Sequence, residues 1–204
     1  MKIDLHVHCR EYSFCGRSSA DEQVQAAMTA GLDALVFADH DHLFPEDHLQ
    51  TLNKKYAPFK IFSGIEITEY TGEHILVLGV RDASLEFERW NYTDLYHFVQ
   101  NWGGFLALNH PFRFTSEIEI EYERFLPHAV EAYSNNISPH LQPRILKLAQ
   151  NIGVNVLSNS DSHHRDDIGR YYNELEKTPE TEEELIELLK AGSFSCVAPS
   201  HPLR

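Results

Sequence analysis

The sequence predicts an α/β protein in which helices cover a mainly parallel sheet that closes into a barrel. Short apolar runs alternate with amphipathic, capped segments along the chain, which is the order of strand-turn-helix units. Polar residues of metal-ligand type follow directly after several of these runs. Because these residues are spread over most of the chain, a closed barrel, where many strand ends converge, is favoured over an open doubly wound sheet.

Composition limits the class of protein. The 204 residues are 42% hydrophobic, which predicts one domain spanning residues 1–204. There is no long apolar run and no signal-peptide pattern, so we expect a cytoplasmic protein without membrane contact. The formal net charge of −14 argues against a nucleic-acid partner held along a basic face. The three cysteines are expected to be free thiols, and the oligomeric state does not follow from the sequence.

The first predicted strand, residues 3–8, places two histidines on one face. Side chains alternate between the two faces of a strand, so Asp4, His6 and His8 share one side. This spacing suits two imidazoles that bind one divalent metal ion, provided that other segments supply the remaining ligands. A single His-x-His pair is weak evidence, so the prediction depends on ligands at the ends of later strands.

Periodicity and capping signals predict the later elements. Ser19 and Thr181 each begin a capping box. The turn at Thr71-Gly72-Glu73 predicts a hairpin that carries His74 back towards Glu66. The other predicted strands are 34–38, 61–67, 74–79, 105–108, 129–132, 154–157 and 194–197, and the predicted helices are 19–31, 45–55, 92–102, 116–124, 139–151 and 181–191.

Eight residues with side chains of metal-ligand type lie at or just after predicted strands. They are His6, His8, His40, Glu66, His74, His110, Asp161 and His163. Singly, each has an ordinary alternative as a hydrogen-bonded structural residue or a turn residue. Together they favour a metal cluster in which Glu66 offers two oxygens to two ions, and imidazole with carboxylate suits Zn, Mn or Fe better than Ca or Mg. His42, His48, His97, His128, His140 and His201 match no motif and are interpreted as packing or surface residues.

Six motifs in order along the chain resemble the polymerase and histidinol phosphatase (PHP) family. They are Asp4-Leu5-His6-Val7-His8, Ala38-Asp39-His40-Asp41, Gly64-Ile65-Glu66-Ile67, His74 before Leu78-Gly79, Asn109-His110-Pro111 and Ser160-Asp161-Ser162-His163. The resemblance implies a single-domain, distorted (β/α)7 TIM-like barrel with two or three divalent ions for phosphoester hydrolysis.

The resemblance also implies which residues hold each ion. His6, His8, Glu66 and Asp161 would hold one ion, Glu66, His74 and His110 a second, and His40 and His163 a third. The family usually adds a His or Asp from the loop after the first strand, where this sequence has Cys15. Cys15 is therefore either a thiolate ligand or a small packed thiol, with a weak or empty third site.

The expected activity is hydrolysis of a small phosphorylated metabolite or nucleotide, in the manner of a histidinol phosphatase, by a metal-bridged hydroxide. Asp161 or His163 would move the proton to the leaving oxygen, and Asp39 would orient a ligand histidine. Arg17, Arg113 and Arg165 are candidates for phosphate binding. The alternatives are hydrolysis of a C–N bond or a lactone, as in amidohydrolases, and a non-catalytic, metal-stabilised binding module. The short span between Gly79 and His110 predicts a fairly open site.

Overall fold

The computed structural model describes residues 1–199, and His201 lies outside them. In this part of the chain nine strands and six α-helices follow one another. The strands are β1 (Lys2–Val7), β2 (Ala34–Phe37), β3 (Lys60–Thr68), β4 (His74–Leu78), β5 (Phe105–Leu108), β6 (Ala129–Tyr133), β7 (Asn155–Ser158), β8 (Tyr172–Leu175) and β9 (Phe194–Val197). The helices are α1 (Ala20–Thr29), α2 (Glu46–Tyr56), α3 (Ser84–Phe87), α4 (Tyr92–Asn101), α5 (Gln142–Ile152) and α6 (Glu182–Lys190).

All nine strands belong to one sheet, in the order β7-β6-β5-β4-β3-β2-β1-β8-β9. The pairs among β1, β2 and β3 and among β5, β6 and β7 are parallel. β4 runs antiparallel between β3 and β5, and Glu66 pairs with Leu76. The hairpin predicted from the sequence is thus present. It places the start of β4 beside the end of β3, at the same end of the barrel.

The sheet curves into a nearly closed barrel, which confirms the predicted fold class. At one end, Val7 forms a parallel bridge with Ser162, just beyond β7, and the His8 N–H donates to the Ser162 carbonyl at 2.9 Å. At the other end the antiparallel strands β8 and β9 continue the sheet beyond β1. There the Ser158 hydroxyl donates to the Val197 carbonyl at 2.7 Å. The sheet is therefore closed at the carboxyl ends of its parallel strands, where the candidate ligands lie. This end is the closed end of the barrel.

Helices cover the sheet with apolar side chains spaced three or four residues apart, as amphipathic helices do. α1 and α2 pack on one buried apolar cluster, α4 and α5 on a second, and α6 on a third. α1 begins at the predicted capping box, because the Ser19 hydroxyl accepts from the Glu22 N–H and the Glu22 carboxylate accepts from the Ser19 N–H.

Three local features differ from the sequence prediction, and one of them is the four-residue helix α3, which the prediction lacks. Residues 116–124 form no helix; isoleucine and tyrosine alternate there with glutamate, and Ile120 is buried while Ile118 and Tyr122 pack beside it. This period of two suits an extended segment rather than a helix. The prediction also lacks β8, a four-residue strand whose buried Asn173 interrupts any apolar signal.

Candidate metal centre

The eight predicted ligand residues converge at the closed end of the barrel. His6 lies in β1 and Glu66 in β3, His74 begins β4, and the other five lie on segments that follow strands. Five of the eight are buried, and three are partly exposed: His40, His74 and His163. The parallel bridge between Val7 and Ser162 brings Asp161 and His163 to the end of β1. The side of the centre formed by the exposed histidines is open to solvent, as the sequence predicts.

The inner group consists of His6, His8 and Asp161, and one oxygen of Glu66 faces it. The two Nε2 atoms of His6 and His8 are 3.0 Å apart. They lie 3.2 and 3.3 Å from Glu66 Oε2 and 3.5 and 3.3 Å from Asp161 Oδ1. Four ligand atoms around an ion with bonds of about 2.0–2.1 Å in a tetrahedron are roughly 3.3–3.4 Å apart. The separations therefore fit a tetrahedral cation site.

Two oxygens of this group have no hydrogen-bond partner among the described residues. They are Glu66 Oε2 and Asp161 Oδ1, both buried. Buried polar atoms are almost always hydrogen-bonded, and a carboxylate oxygen that faces two imidazole nitrogens without a proton donor is a costly arrangement. A divalent cation would satisfy both oxygens, so the residues fit the metal that the sequence predicts.

Glu66 points its two oxygens into two different groups. Oε2 faces the inner group and also lies 3.2 Å from His40 Nδ1. Oε1 lies 3.2 Å from His74 Nδ1 and 3.1 Å from His110 Nε2, and it accepts a hydrogen bond from the Asn109 amide at 2.8 Å. The second group, His40, Glu66 and His74, offers ligand atoms within 4.8 Å of one another. The carboxylate thus has the geometry to bridge two cations.

Cys15 belongs to a third group with His8 and His40, whose ligand atoms also lie within 4.8 Å of one another. Its thiol is 3.1 Å from the Ser13 hydroxyl, and burial raises the pKa of the thiol. The ring of His163 lies 4.6 Å from the ring of His8, and His163 Nδ1 is 2.9 Å from the Asp161 carbonyl oxygen. Cys15 therefore lies where the loop ligand of the family pattern is expected.

Two of the candidate ligands have left-handed backbone conformations. His110 has φ 26° and Asp161 has φ 49°. A residue other than glycine in this region costs of order 1–3 kcal/mol, and such residues concentrate at functional sites. The backbone around Asp161 is held by Asn136, whose amide donates to both the Asp161 carbonyl and Oδ2 at 2.9 and 2.8 Å. The fold thus holds a strained backbone at His110 and Asp161, whose side chains point into the centre.

Behind the inner group lies a buried polar chain that the sequence motifs do not identify. His6 Nδ1 is 3.0 Å from Glu131 Oε1. The Asn159 amide donates to the same oxygen at 2.9 Å, and the Asn173 amide donates to Asn159 Oδ1 at 2.8 Å. When His6 Nδ1 donates to Glu131, the Nε2 lone pair is left for a cation. Glu131 lies in β6 and belongs to none of the six sequence motifs.

The charges of the inner group are strongly coupled. Burial opposes protonation of His6, yet Glu66 and Asp161 outweigh it and raise the pKa of His6 well above its usual value. Against the same burial penalty, the neighbouring carboxylates of Asp161 and Glu66 raise the pKa of His8 to about 9. Burial favours neutral carboxyls, but the histidines lower the pKa of both Glu66 and Asp161. The carboxylates therefore stay ionised and attract positive charge.

Beside the centre lies a cavity of about 630 Å³, and two of the three predicted phosphate-binding arginines line it: Arg17 and Arg113. Arg113 Nη1 also donates to Asp161 Oδ2 at 3.0 Å. Arg165 does not reach this cavity; its side chain lies 3.6 Å from Glu22 on the surface of α1. The structure therefore does not place Arg165, in the 3₁₀ turn Arg165–Asp167, beside the centre.

The role predicted for Asp39 is also not what the structure shows. Its carboxylate accepts hydrogen bonds from the Cys9 N–H at 2.7 Å and from the Cys9 thiol at 3.2 Å. Burial raises the pKa of Asp39 to about 6. Asp39 thus holds the loop after β1 and forms no hydrogen bond with a candidate ligand histidine among the described residues, whereas Glu131 has that contact with His6.

Comparison with protein families agrees with the sequence motifs. A profile of the PHP-associated family (PHP_C) matches residues 140–194, which include Asp161 and His163. None of the curated proteins matches the chain. Among residues 1–199, no helix combines the length and the apolar character that are needed to span a bilayer.

Several solved structures share the fold. A two-domain protein from Bacteroides vulgatus ATCC 8482, which contains a predicted PHP-like metal-dependent phosphoesterase, superposes with a TM-score of 0.73 at 18% identity over 97% of this chain. This chain spans 64% of that protein, less than two thirds. PsfC from Pseudomonas syringae PB-5123 gives a TM-score of 0.72 at 18% identity, over 98% of this chain and 92% of PsfC.

An amidohydrolase from Chromobacterium violaceum also resembles the chain, with a TM-score of 0.62 and 15% identity over 80% of this chain and 88% of that protein. That structure contains bound sulfate and no metal. Together with the family profile, these folds confirm the resemblance to PHP proteins that the motifs predict.

Proposed function

We propose that this chain is a metal-dependent phosphoesterase that removes phosphate from a small phosphorylated metabolite or nucleotide. The observation that carries the proposal is that the two carboxylate oxygens of Glu66 face two different groups of imidazole nitrogens. Oε2 faces His6 and His8, and Oε1 faces His74 and His110. Glu66 would help to hold two cations, one with each oxygen, and such a pair would supply charge stabilisation for a displacement at phosphorus.

In this proposal His6, His8, Glu66 and Asp161 hold one ion, and Glu66, His74 and His110 hold the other. Cys15 and His40, with His163 beside them, provide a third position. Imidazole and carboxylate ligands suit Zn, Mn or Fe. When bound, such ions lower the pKa of water and neutralise the charge on phosphate oxygens.

The chain's own residues provide the remaining parts of the reaction. His163 Nδ1 faces the Asp161 carbonyl, so its Nε2 is free to exchange a proton. Burial lowers the pKa of His163, which keeps the ring neutral near pH 7. Arg17 provides a positive charge in the cavity. Arg113 donates a hydrogen bond to Asp161 and also lines the cavity. The positive charge of these arginines would attract an anionic substrate to a chain whose net charge is strongly negative.

Two alternatives compete with this function. Hydrolysis of a C–N bond or a lactone is supported by the likeness to the Chromobacterium amidohydrolase. That structure also contains sulfate, a tetrahedral anion of the same shape as phosphate. A non-catalytic module has no need of a carboxylate whose two oxygens face two groups of imidazoles, so the geometry of Glu66 argues against it.

The test combines metal analysis with a substrate panel. Protein purified without chelator should contain about two to three divalent ions per chain, and it should hydrolyse phosphomonoesters faster than amides or lactones. Chelation should abolish this activity, and Zn, Mn or Fe should restore it. A content below about one ion per chain with activity that is insensitive to chelation would overturn the proposal. Preferential hydrolysis of the amide panel would support the alternative enzyme.

A further inference from the structure

Two asparagines extend the buried contacts behind His6 to the seam between β7 and β8. Asn159 directly follows β7, and Asn173 lies in β8. Like Glu131 and His6, both asparagines are completely buried. Bulk water therefore does not compete for their hydrogen bonds, and each polar atom has to find its partner within the protein.

Asn173 takes the place of a paired strand beside β7. This strand lies at the end of the strand order, so one of its edges is not part of a backbone ladder among the described residues. At that edge Asn173 Oδ1 accepts from the Ser158 N–H at 3.1 Å, and the Asn173 amide donates to the Ser158 carbonyl at 2.8 Å. A backbone N–H only donates and a carbonyl only accepts, so the Asn173 amide has a single possible orientation.

The orientation of Asn159 is fixed in the same way. Its Oδ1 accepts from the Asn173 amide at 2.8 Å and from the Leu5 N–H, in β1, at 3.3 Å. The opposite orientation would place an NH₂ group against two donors. The Asn159 amide therefore has to point towards Glu131, and it donates to Oε1 at 2.9 Å. Two backbone N–H groups, one from β7 and one from β1, thus determine the direction of each hydrogen bond as far as Glu131.

The contact between Glu131 and His6 is the last in this series. Glu131 Oε1 accepts from Asn159 and also lies 3.0 Å from His6 Nδ1. An ionised carboxylate only accepts hydrogen bonds, so the hydrogen of this contact belongs to His6 Nδ1. The lone pair of His6 Nε2 then points towards the inner group, 3.2 Å from Glu66 Oε2. An imidazole of the other tautomer would present an N–H there and would not bind a cation through Nε2.

We propose that Asn173 and Asn159 are positioning residues, which fix the tautomer of His6 that binds a cation. The inference rests on the metal centre of the proposed function and assigns two further residues to its support. Neither asparagine is among the candidate ligands, and the hydrogen bonds connect them to the inner group through Glu131. They therefore act on His6 without contact with the metal.

Asn173→Asp tests the proposal, because it keeps the shape of the side chain and removes both donated hydrogen bonds. Affinity for zinc, measured by competition with a chelating dye, should fall by roughly 10–100-fold. The matched control is Asn53→Asp. Asn53 forms the same kind of pair with β3, since its Oδ1 accepts from the Ile61 N–H at 2.9 Å and its amide donates to the Ile61 carbonyl at 2.8 Å. The control variant should lose stability to urea and keep the zinc affinity of the wild type.

A double-mutant cycle separates positioning from a general loss of stability. When Asn173→Asp is combined with Glu131→Gln, zinc affinity should fall by less than the product of the two single losses, because both substitutions act on His6 Nδ1. Losses that multiply would overturn the role of Asn173, and so would an unchanged affinity in Asn173→Asp or an equal loss in Asn53→Asp.

The tautomer itself is measured in the wild type, without any substitution. In zinc-loaded protein labelled with ¹⁵N at histidine, nuclear magnetic resonance should show His6 with its hydrogen on Nδ1 and zinc on Nε2. A hydrogen on Nε2 in a protein that binds zinc would overturn this inference and leave the phosphoesterase intact. If the wild type binds none of zinc, manganese and iron, the proposed function fails, and this inference fails with it.

Discussion

Histidines lie at both ends of the barrel, His6 fully buried and His128 half-buried, but their surroundings are opposite. At the closed end, His6 lies among Glu66, Asp161 and Glu131, and these carboxylates raise its pKa against the effect of burial. At the start of β6, His128 stacks on Phe105 at 5.2 Å and accepts a hydrogen bond from the Leu106 N–H at 3.0 Å. There burial, followed by the charge of Lys190, lowers the pKa of His128 to about 4.

This difference separates a structural histidine from a candidate ligand. A neutral imidazole that packs on a ring and accepts one backbone hydrogen bond adds to stability at little electrostatic cost. Buried histidines surrounded by ionised carboxylates cost desolvation energy that packing alone does not recover. Such an arrangement is expected where the chain binds something charged, so the electrostatic environment distinguishes the two ends more clearly than burial does.

The strongest test of this difference is Glu66→Gln, which keeps the shape of the side chain and removes its charge. Loss of a residue that only orients a metal ligand typically costs 10–100-fold, so loss of the bridging ligand should lower phosphoesterase turnover by more than about 100-fold. Metal content, measured by elemental analysis, should fall by at least one ion per chain. Retention of both activity and full metal content would show that Glu66 does not bridge.

A smaller effect is expected from Glu131→Gln, which changes the partner of His6 Nδ1 and leaves the inner group in place. Metal affinity, measured by competition with a chelating dye, should fall by roughly 10–100-fold. Glu131→Asp should recover part of this affinity, because it retains the carboxylate. If Glu131→Gln binds metal as tightly as the wild type, the buried hydrogen-bonded residues behind His6 stabilise the barrel and do not support metal binding.

The two arginines Arg17 and Arg165 form a matched pair, one in the cavity and one on the surface of α1. Arg17→Ala should raise KM for a phosphomonoester by about 10-fold, the value expected for one hydrogen bond to a charged group, with a smaller change in kcat. Arg165→Ala should leave both constants unchanged. Equal effects of the two substitutions in steady-state kinetics would contradict the position assigned to the phosphate group.

The smallest effect is expected for His128, at the opposite end of the barrel from the candidate metal centre. Because the folded pKa of His128 is lowered to about 4 from 6.5, the unfolded chain binds an additional proton between these values. The free energy of unfolding should therefore decrease as pH falls through this window, with no further loss from this group below about pH 4. Solvent screening reduces the effect to about 1 kcal/mol.

His128→Asn keeps an acceptor for the Leu106 N–H and removes the titration. Urea unfolding at pH 8 and pH 5 should show a smaller decrease for the variant than for the wild type. An identical decrease in both proteins would indicate that His128 is not neutral in the folded state.

The features predicted correctly from the sequence follow from regular patterns. Alternation along β1 places His6 and His8 on one face, and the turn at Gly72 returns His74 to Glu66. The ends of parallel strands meet at one end of a barrel, so residues far apart in sequence are expected to converge. The convergence of the candidate ligand residues therefore follows from strand order alone, without knowledge of side-chain packing.

The errors have local causes. The apolar period at Ile118 and Ile120 is that of an extended segment, and the helix prediction overlooks it. The direction of Arg165 depends on a 3₁₀ turn that has no apolar period. The contact between Glu131 and His6 joins β6 to β1, which are not neighbours in the sheet. Such contacts depend on barrel curvature and cannot be inferred from local patterns.

The bridge from Val7 to Ser162 joins two segments that are far apart in the chain. Ions bound by the inner group would connect three distant segments, those around His6, Glu66 and Asp161. Such connections can form only after the long intervening chain has closed into a loop, so a fragment lacking one of these three segments could not assemble the ligand shell. Metal loading would then stabilise the folded chain by mass action, and resistance to unfolding should rise with the free ion concentration.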